Sequence, residues 1–420
     1  MKRLLAGILL PICMFLSGFF FHRGNQNTEL DVRELRPQLI LTFLGVRHSI
    51  DNRFMLGQVL GRYAQRHPEQ FISYESISPA EYGRVLGKRL KVDCADDIFV
   101  VSPPMARYFE AEDRLASLTD IPSLSGYRRD VLEQMRMDGE VRYIPIGLGA
   151  FGLFCNLDLL EREKVGIPGN VQELLAACEH FMSRGVTPLA SYGRAPLKAL
   201  IIGHLFEPAI LGNADRFFTE LKTVPGKMEI SLEESLEFLT LLRDRGYLNI
   251  SGGEVRYSKE LPESFVRGEI PFMLAGSWHA VQLARTSPSF RYAAYPLPVI
   301  EDGSIVVLGL DSPLAVNAKS KYLKQAESLV AFLSNSENID LFTAGQGLLS
   351  PLRETPPPDR VLHPLWNGME AGRGVFFSDI RLKHFIWDEL DIAVDMILSG
   401  VQSGEVAERV LREASGAERW

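Results

Sequence analysis

Cysteine is scarce, with four in 420 residues, at positions 13, 94, 155 and 178, and no C-x-x-C pair among them. That spacing offers neither a disulfide framework nor a thiolate zinc site, and the three beyond the N-terminal segment cannot all pair with one another. Basic charge is short as well. Lys and Arg number 45 against 53 Asp and Glu, a formal net charge of −8, and no Lys/Arg block exceeds a few residues. A surface that neutralises phosphates needs clustered cations, so the composition argues against a nucleic-acid partner. G-x-S-x-G, H-E-x-x-H and the P-loop are all missing, which removes the usual signatures of serine hydrolases, zincins and nucleotide hydrolases. There is no internal repeat or low-complexity tract, and Pro356-Pro357-Pro358 reads as a stiff loop. What the chain has is 46% apolar and 10% aromatic residues. At about 100–200 residues per domain, this length suggests two domains with ample cores.

Long apolar runs are limited to one. Met1-Lys2-Arg3 precedes eighteen uncharged residues, Leu4 to Phe21, followed by His22-Arg23 and a polar stretch to Pro37. This pattern is an export signal, with residues 1–23 expected as a signal peptide or signal anchor and 24–37 as a polar linker. Leu16-Ser17-Gly18-Phe19 looks like a bacterial lipobox whose lipid-accepting cysteine is replaced by Phe19, and Cys13 follows a poor one. Eighteen apolar residues are just enough to span hydrocarbon, so an uncleaved anchor stands beside a cleaved signal, and either puts the body outside the cytoplasm.

Beyond Pro37 the chain alternates strand and helix patterns. Leu39 to Phe43 reads as a buried strand, and Asn52 to His67 as a helix with Phe54, Met55, Val59, Leu60 and Tyr63 on one face. Ser78-Pro79-Ala80-Glu81 has the form of a capping box, and Asn170 with Glu173 and Ser231 with Glu234 repeat it. Strands are expected over 98–101, 272–274 and 305–308, and helices over about 321–334, 379–398 and 405–414.

Gly147, Gly149 and Gly152 spell G-x-G-x-x-G after the apolar run Val141 to Ile146. A dinucleotide site needs a helix directly behind the last glycine. Here Leu-Phe-Cys-Asn follows, and Gly166-Ile167-Pro168-Gly169 stops any helix early. The better reading is a backbone crossing between two lobes, with the three glycines as a hinge that changes direction sharply.

The motifs carry a family resemblance over nearly the whole exported part. Asp97-Ile98 with Leu115 to Thr119, Tyr143-Ile144-Pro145 with Asn156 to Leu160, Gly166-Ile167-Pro168 and Glu173-Leu174 occur in order. Phe265-Val266-Arg267-Gly268-Glu269 to Met273, then Gly276-Ser277-Trp278, and Asn317-Ala318-Lys319-Ser320-Lys321 complete the series. Together they resemble the family 1 extracellular solute-binding proteins of bacterial ABC importers, the maltose-binding-protein-like sugar binders. The resemblance implies an α/β fold of two lobes, a type II-like periplasmic-binding-protein architecture with hinge crossings and a ligand cleft between lobes. It places the crossings near Ile144 to Gly152, Tyr292 to Val299 and Leu349 to Arg353. The N-terminal lobe would then be 38–146 plus 298–350, and the C-terminal lobe 147–297 plus 351–420.

It further implies a monomer that captures a carbohydrate, delivers it to ABC permease subunits and needs no cofactor, metal or catalytic residue. Sugar sites combine flat aromatics with polar side chains. Trp278 falls on the family's stacking aromatic, against the alternative of a core Trp. Glu207 sits where maltose-binding protein carries a Glu-Pro ligand segment, against a solvated loop acid. Phe43, Gly45, Arg47 and His48 end the first strand, at the edge where open α/β sheets bind ligands. Ser102, Phe151, Asp311 and Arg353 complete the candidates, with a structural salt bridge as the alternative for Arg353 and a surface turn for His48. Val100-Val101, Pro103-Pro104, Ala209-Ile210 and Cys155 depart from the maltose-binding pattern, which points away from maltodextrin bound in that manner. A receptor that presents its ligand to a membrane sensor, a binder of a non-sugar solute, and a secreted glycosidase with two carboxylates about 5–10 Å apart are the other readings.

Overall fold

In the computed structural model, residues 39–46, 50–251 and 261–416 are described; the N-terminal segment, Arg47 and His48 lie outside them. Two sheets organise the chain. The smaller has four strands in the order Leu314–Val316, Ile98–Val100, Leu39–Val46, Gln70–Ile77. Leu39–Val46 pairs in parallel with both Gln70–Ile77 and Ile98–Val100, through the helices Ile50–Arg66 and Pro79–Lys91. This is the expected βα opening.

The larger sheet has eight strands, and its centre is the glycine-rich run. Gly147–Asn156 is a ten-residue strand with every residue buried. Leu148, Ala150 and Phe154 point into one hydrophobic core, and Phe151, Leu153 and Cys155 into the other. A strand covered on both faces reads as an unbroken apolar run, and for that reason the periodicity alone did not reveal it. The apolar run Val141 to Ile146 that precedes it is strand only at its start, Glu140–Val141. A short helix, Leu157–Glu163, begins only after Asn156. Gly303–Asp311 and Phe272–Gly276 flank the central strand on either side, both antiparallel to it.

The chain leaves the smaller sheet between Ile144, bridged to Leu314, and Gly147. It returns between Asp311 and Leu314. The second crossing is therefore not near Tyr292 to Val299. Tyr292–Tyr295 pairs with the central strand and Leu297–Ile300 with Gly303–Asp311, so both are inside the larger sheet, and the lobe boundary moves from 297 to about 312. The third passage lies between Leu352, bridged to Tyr127, and Gly374–Phe376, which pairs with 306–308.

The glycines of the central strand do not turn the chain. None of Gly147, Gly149 and Gly152 has positive φ, and each lies inside regular strand. What they provide is room. A Cβ at Gly152 would meet the Tyr295 carbonyl oxygen at 2.5 Å, and one at Gly147 would meet Leu348 Cδ1 at 2.8 Å.

Helix starts divide the capping motifs. Asn170 accepts from Glu173 N at 2.9 Å, and Glu173 accepts from Gly169 N at 2.8 Å. Ser78 makes no side-chain cap bond. Ser231 is inside the helix Lys227–Asp244, which starts a turn earlier than its sequence pattern suggests. The helix expected over 379–398 is only Leu390–Leu398; the residues before it take up the side-chain contacts described below. No helix among the described residues is long and apolar enough to cross a membrane.

Candidate ligand site at the lobe crossing

Three glycines of the larger sheet determine what rests on it. At Gly149 an added Cβ would lie 3.2 Å from Cζ3 of Trp278, and at Gly276 one would lie 2.2 Å from Cη2 of the same indole. Gly309, the partner of Gly149, would bring its Cβ 2.2 Å from Cε1 of Phe377. Gly276 pairs with Phe151, so these glycines and Phe151 share one face of the sheet. Two aromatic rings thus lie directly on bare backbone, where any side chain would lift them off.

The rings form one layer. Phe151 meets Trp278 edge-on, with centroids 5.2 Å apart and planes at 82°, and meets Trp387 at 5.6 Å. Phe377 stacks on Trp387 at 4.1 Å and 20°. Phe151 and Trp387 are 2% and 4% exposed, whereas Trp278 and Phe377 are half-buried. The inner pair supports and the outer pair presents apolar ring surface. Under Trp387 the fully buried Lys198 holds its ammonium 4.3 Å from the ring centroid and 2.9 Å from Asp391 Oδ1, which pairs a charge that would otherwise be costly to bury.

The Trp278 backbone is fixed through its neighbour. Ser277 N donates to the Ala150 carbonyl at 2.7 Å, and Ala150 N donates to Ser277 Oγ at 3.3 Å. Gly347, at φ +67°, would bring a Cβ within 3.1 Å of the Trp278 Cα. That glycine ends the helix Ser336–Gln346, in which Gly345 closes onto Met55 of the first helix. The smaller lobe thereby reaches the edge of the aromatic layer.

In the smaller lobe, Gly45 is covered by Tyr74, whose Oη would be 2.4 Å from an added Cβ. Phe43 is fully buried and packs edge-on against Tyr74 at 5.1 Å, so it supports that ring. Ser102 caps the helix Pro103–Glu110, accepting from Met105 N at 3.5 Å. Asp311 ends its strand opposite Gly147 and accepts from Ser312 Oγ at 2.8 Å.

Two candidates lie elsewhere. Glu207 accepts from Glu301 N at 2.8 Å, at the hairpin preceding Gly303. From Gly303 to Gly309 is roughly 20 Å along the strand at about 3.3 Å per residue, so Glu207 is at the far end of the sheet from Trp278. It lies beside His204, whose pKa burial lowers against the opposing pull of Glu207, Glu234 and Glu301. Arg353 donates to the Ser125 carbonyl at 2.5 Å, and its own N–H to the Gly126 carbonyl at 3.0 Å; it ties down a loop of the smaller lobe. Sequence reasoning missed Tyr74, Phe377 and Trp387. Tyr74 had a signal in the alternation of Gln70–Ile77; Phe377 meets Gly309 only through tertiary folding.

A separate concavity lies away from the aromatic layer. A cavity of about 380 Å³, lined by Glu110, Asp113, Arg142 and Glu327 among others, opens in the smaller lobe. It has no aromatic lining, so a sugar face would find nothing flat there. Among the described residues no group of three or more His, Cys, Asp or Glu is placed to hold a metal ion.

Known proteins give the same architecture. A family model described as bacterial extracellular solute-binding protein matches residues 90–362. A multiple sugar-binding protein of Streptococcus mutans is 20% identical over 339 residues, covering 79% of this chain and 78% of that protein. RafE of Streptococcus pneumoniae, solved in complex with raffinose, superposes with a TM-score of 0.72 at 16% identity, covering 88% of this chain and 97% of its own. A sugar transporter of Bacillus licheniformis in complex with stachyose gives 0.69 at 15% identity, covering 90% and 99%. At these identities the solved structures establish the two-lobed fold.

Proposed function

Because the chain belongs to the bacterial extracellular solute-binding proteins, we propose that it captures a carbohydrate between its lobes and delivers it to an ABC permease. The observation that carries this is the seating of Trp278 and Phe377 on Gly149, Gly276 and Gly309 at the lobe crossing. A pyranose offers an apolar face matched by flat rings, and its hydroxyls call for polar groups at the rim. Trp278 and Phe377 supply the platform from the larger lobe. Gly45, Ser102 and Tyr74 border the cleft from the smaller lobe, with Asp311 beside the crossing. Raffinose and stachyose, the ligands of two similarly folded proteins, define the class to try first. Closure of the lobes over the bound sugar is the state a permease recognises. The chemistry asked of the site is binding, with no catalytic group. An N-terminal signal or anchor in residues 1–23 keeps the body outside the cytoplasm and at the membrane.

A thermal-shift screen over glycans tests the reading. A ligand at a hundred times its Kd adds about 2.7 kcal/mol of stability. A shift with raffinose, stachyose or a related glycan is expected, and Trp278→Ala is expected to abolish it while the unliganded melting point stays close to that of the parent. A shift with metals, amino acids or polyamines alone overturns the carbohydrate assignment, and collapse of unliganded Trp278→Ala assigns the indole to the core instead.

A further inference from the structure

Residues 377–387 lie between the ligand wall and the other lobe. The segment starts at Phe377 and ends at Trp387, and Leu382, Ile386 and Trp387 belong to the core of the larger lobe. Its middle is held by the smaller lobe at two points. Arg107, in the helix capped by Ser102, donates to the carbonyls of Ile380 at 2.6 Å and Lys383 at 3.2 Å, and its guanidinium lies 4.2 Å from the Phe385 ring centroid. Gln134, 3% exposed on the helix Arg129–Met135, donates to Asp379 Oδ2 at 3.1 Å and accepts from Ile380 N at 2.9 Å. Asp379 is 2% exposed. It also receives both nitrogens of a forked bond from Arg381, at 2.9 and 2.8 Å, while Arg381 covers Phe218 and reaches Asp215 in the larger lobe.

We propose that Arg107 and Gln134 are positioning residues that fasten the two lobes through this segment and thereby set ligand affinity. The proposal rests on the reading that ligand binds against Phe377 between closing lobes. The physical case is one of directional bonds at a buried contact. Parting the lobes here leaves Asp379 and the Ile380 amide without Gln134, and it strips Arg107 from two carbonyls and an aromatic face. Opening exchanges each of these bonds for one to water, and an intramolecular bond is net favourable over that exchange, so these contacts favour the closed arrangement before any ligand arrives. The same segment carries Phe377, so the lobe contact and the sugar platform are held by one backbone. A protein that already populates its closed form has less conformational cost to meet on binding.

The test reads the distance between lobes in the full chain. Cys94 is exposed in the smaller lobe and Lys222 in the larger, so a Cys13→Ser, Lys222→Cys chain takes one spin label on each. Cys155 and Cys178 are buried, which raises both thiol pKa values, that of Cys178 to about 12, and keeps them unreactive. Without ligand, Arg107→Ala and the Arg107→Ala, Gln134→Leu double variant are expected to give a broader, displaced distance distribution than the parent. Raffinose affinity is expected to drop about tenfold in the double variant, with Arg107→Lys intermediate. Arg107→Ala is the safer of the two for folding, and unchanged circular dichroism qualifies it. Distance distributions identical to the parent in both variants overturn the proposal. Failure of the parent to bind any glycan overturns the carbohydrate assignment alone, because the distances are measured without ligand.

Discussion

Gly276 has the Trp278 ring where its own side chain would be, and that single fact organises the residue scale. Gly276→Ala places a methyl 2.2 Å from a rigid indole, so the ring or the strand must shift. Overpacking of this kind costs about 1–3 kcal/mol. Urea unfolding is expected to show that loss, and calorimetric titration with raffinose a weaker affinity; an unaltered urea midpoint would mean the ring does not rest there. Trp278 was legible from its place after a strand and a Gly-Ser turn. Phe377 and Trp387 were not, because the glycine beneath Phe377 is 309, far away in sequence, and nothing local links them. Glu207 shows the opposite case: its setting matched a known ligand segment, and its carboxylate accepts a hairpin amide at the end of the sheet away from the aromatic layer.

For whole elements, start signals that form hydrogen bonds differ from those that only match a pattern. Asn170→Ala removes an acceptor that satisfies the Glu173 amide and a partner of the Glu173 carboxylate, and is expected to cost about 1 kcal/mol. Ser78→Ala is expected to change stability by less than about 0.5 kcal/mol, since Ser78 makes no side-chain cap. Chemical denaturation of both variants checks the contrast, and equal losses would contradict it. Four of the twelve described strands of the two sheets, Leu39–Val46, Ile98–Val100, Phe272–Gly276 and Gly303–Asp311, were readable from period and punctuation. The central strand was hard to read because its two faces are both covered, which erases alternation. The stretch before Leu390 carries a helix-like pattern of apolar residues, but Asp379 is committed to Arg381 and Gln134, and those bonds hold it in an irregular path.

As a whole molecule the chain is two lobes that exchange backbone three times, and the sheets locate the second exchange after Asp311. The order of the family motifs was enough to anticipate two lobes from sequence. The boundary was misplaced because a hairpin inside one sheet has the same extended pattern as a connection between two. The anchor alternative proposed for residues 1–23 predicts a partition: the full chain is expected in the membrane fraction and a chain starting at residue 24 in the soluble one, and equal fractionation would remove the anchor. The aromatic layer has one more consequence. The chain has four tryptophans, and two of them, 278 and 387, are joined through Phe151 at the lobe crossing. Half of its indoles therefore report on this layer, and a ligand seated on Trp278 as proposed is expected to change the ultraviolet emission of the protein, which a fluorescence titration reads directly.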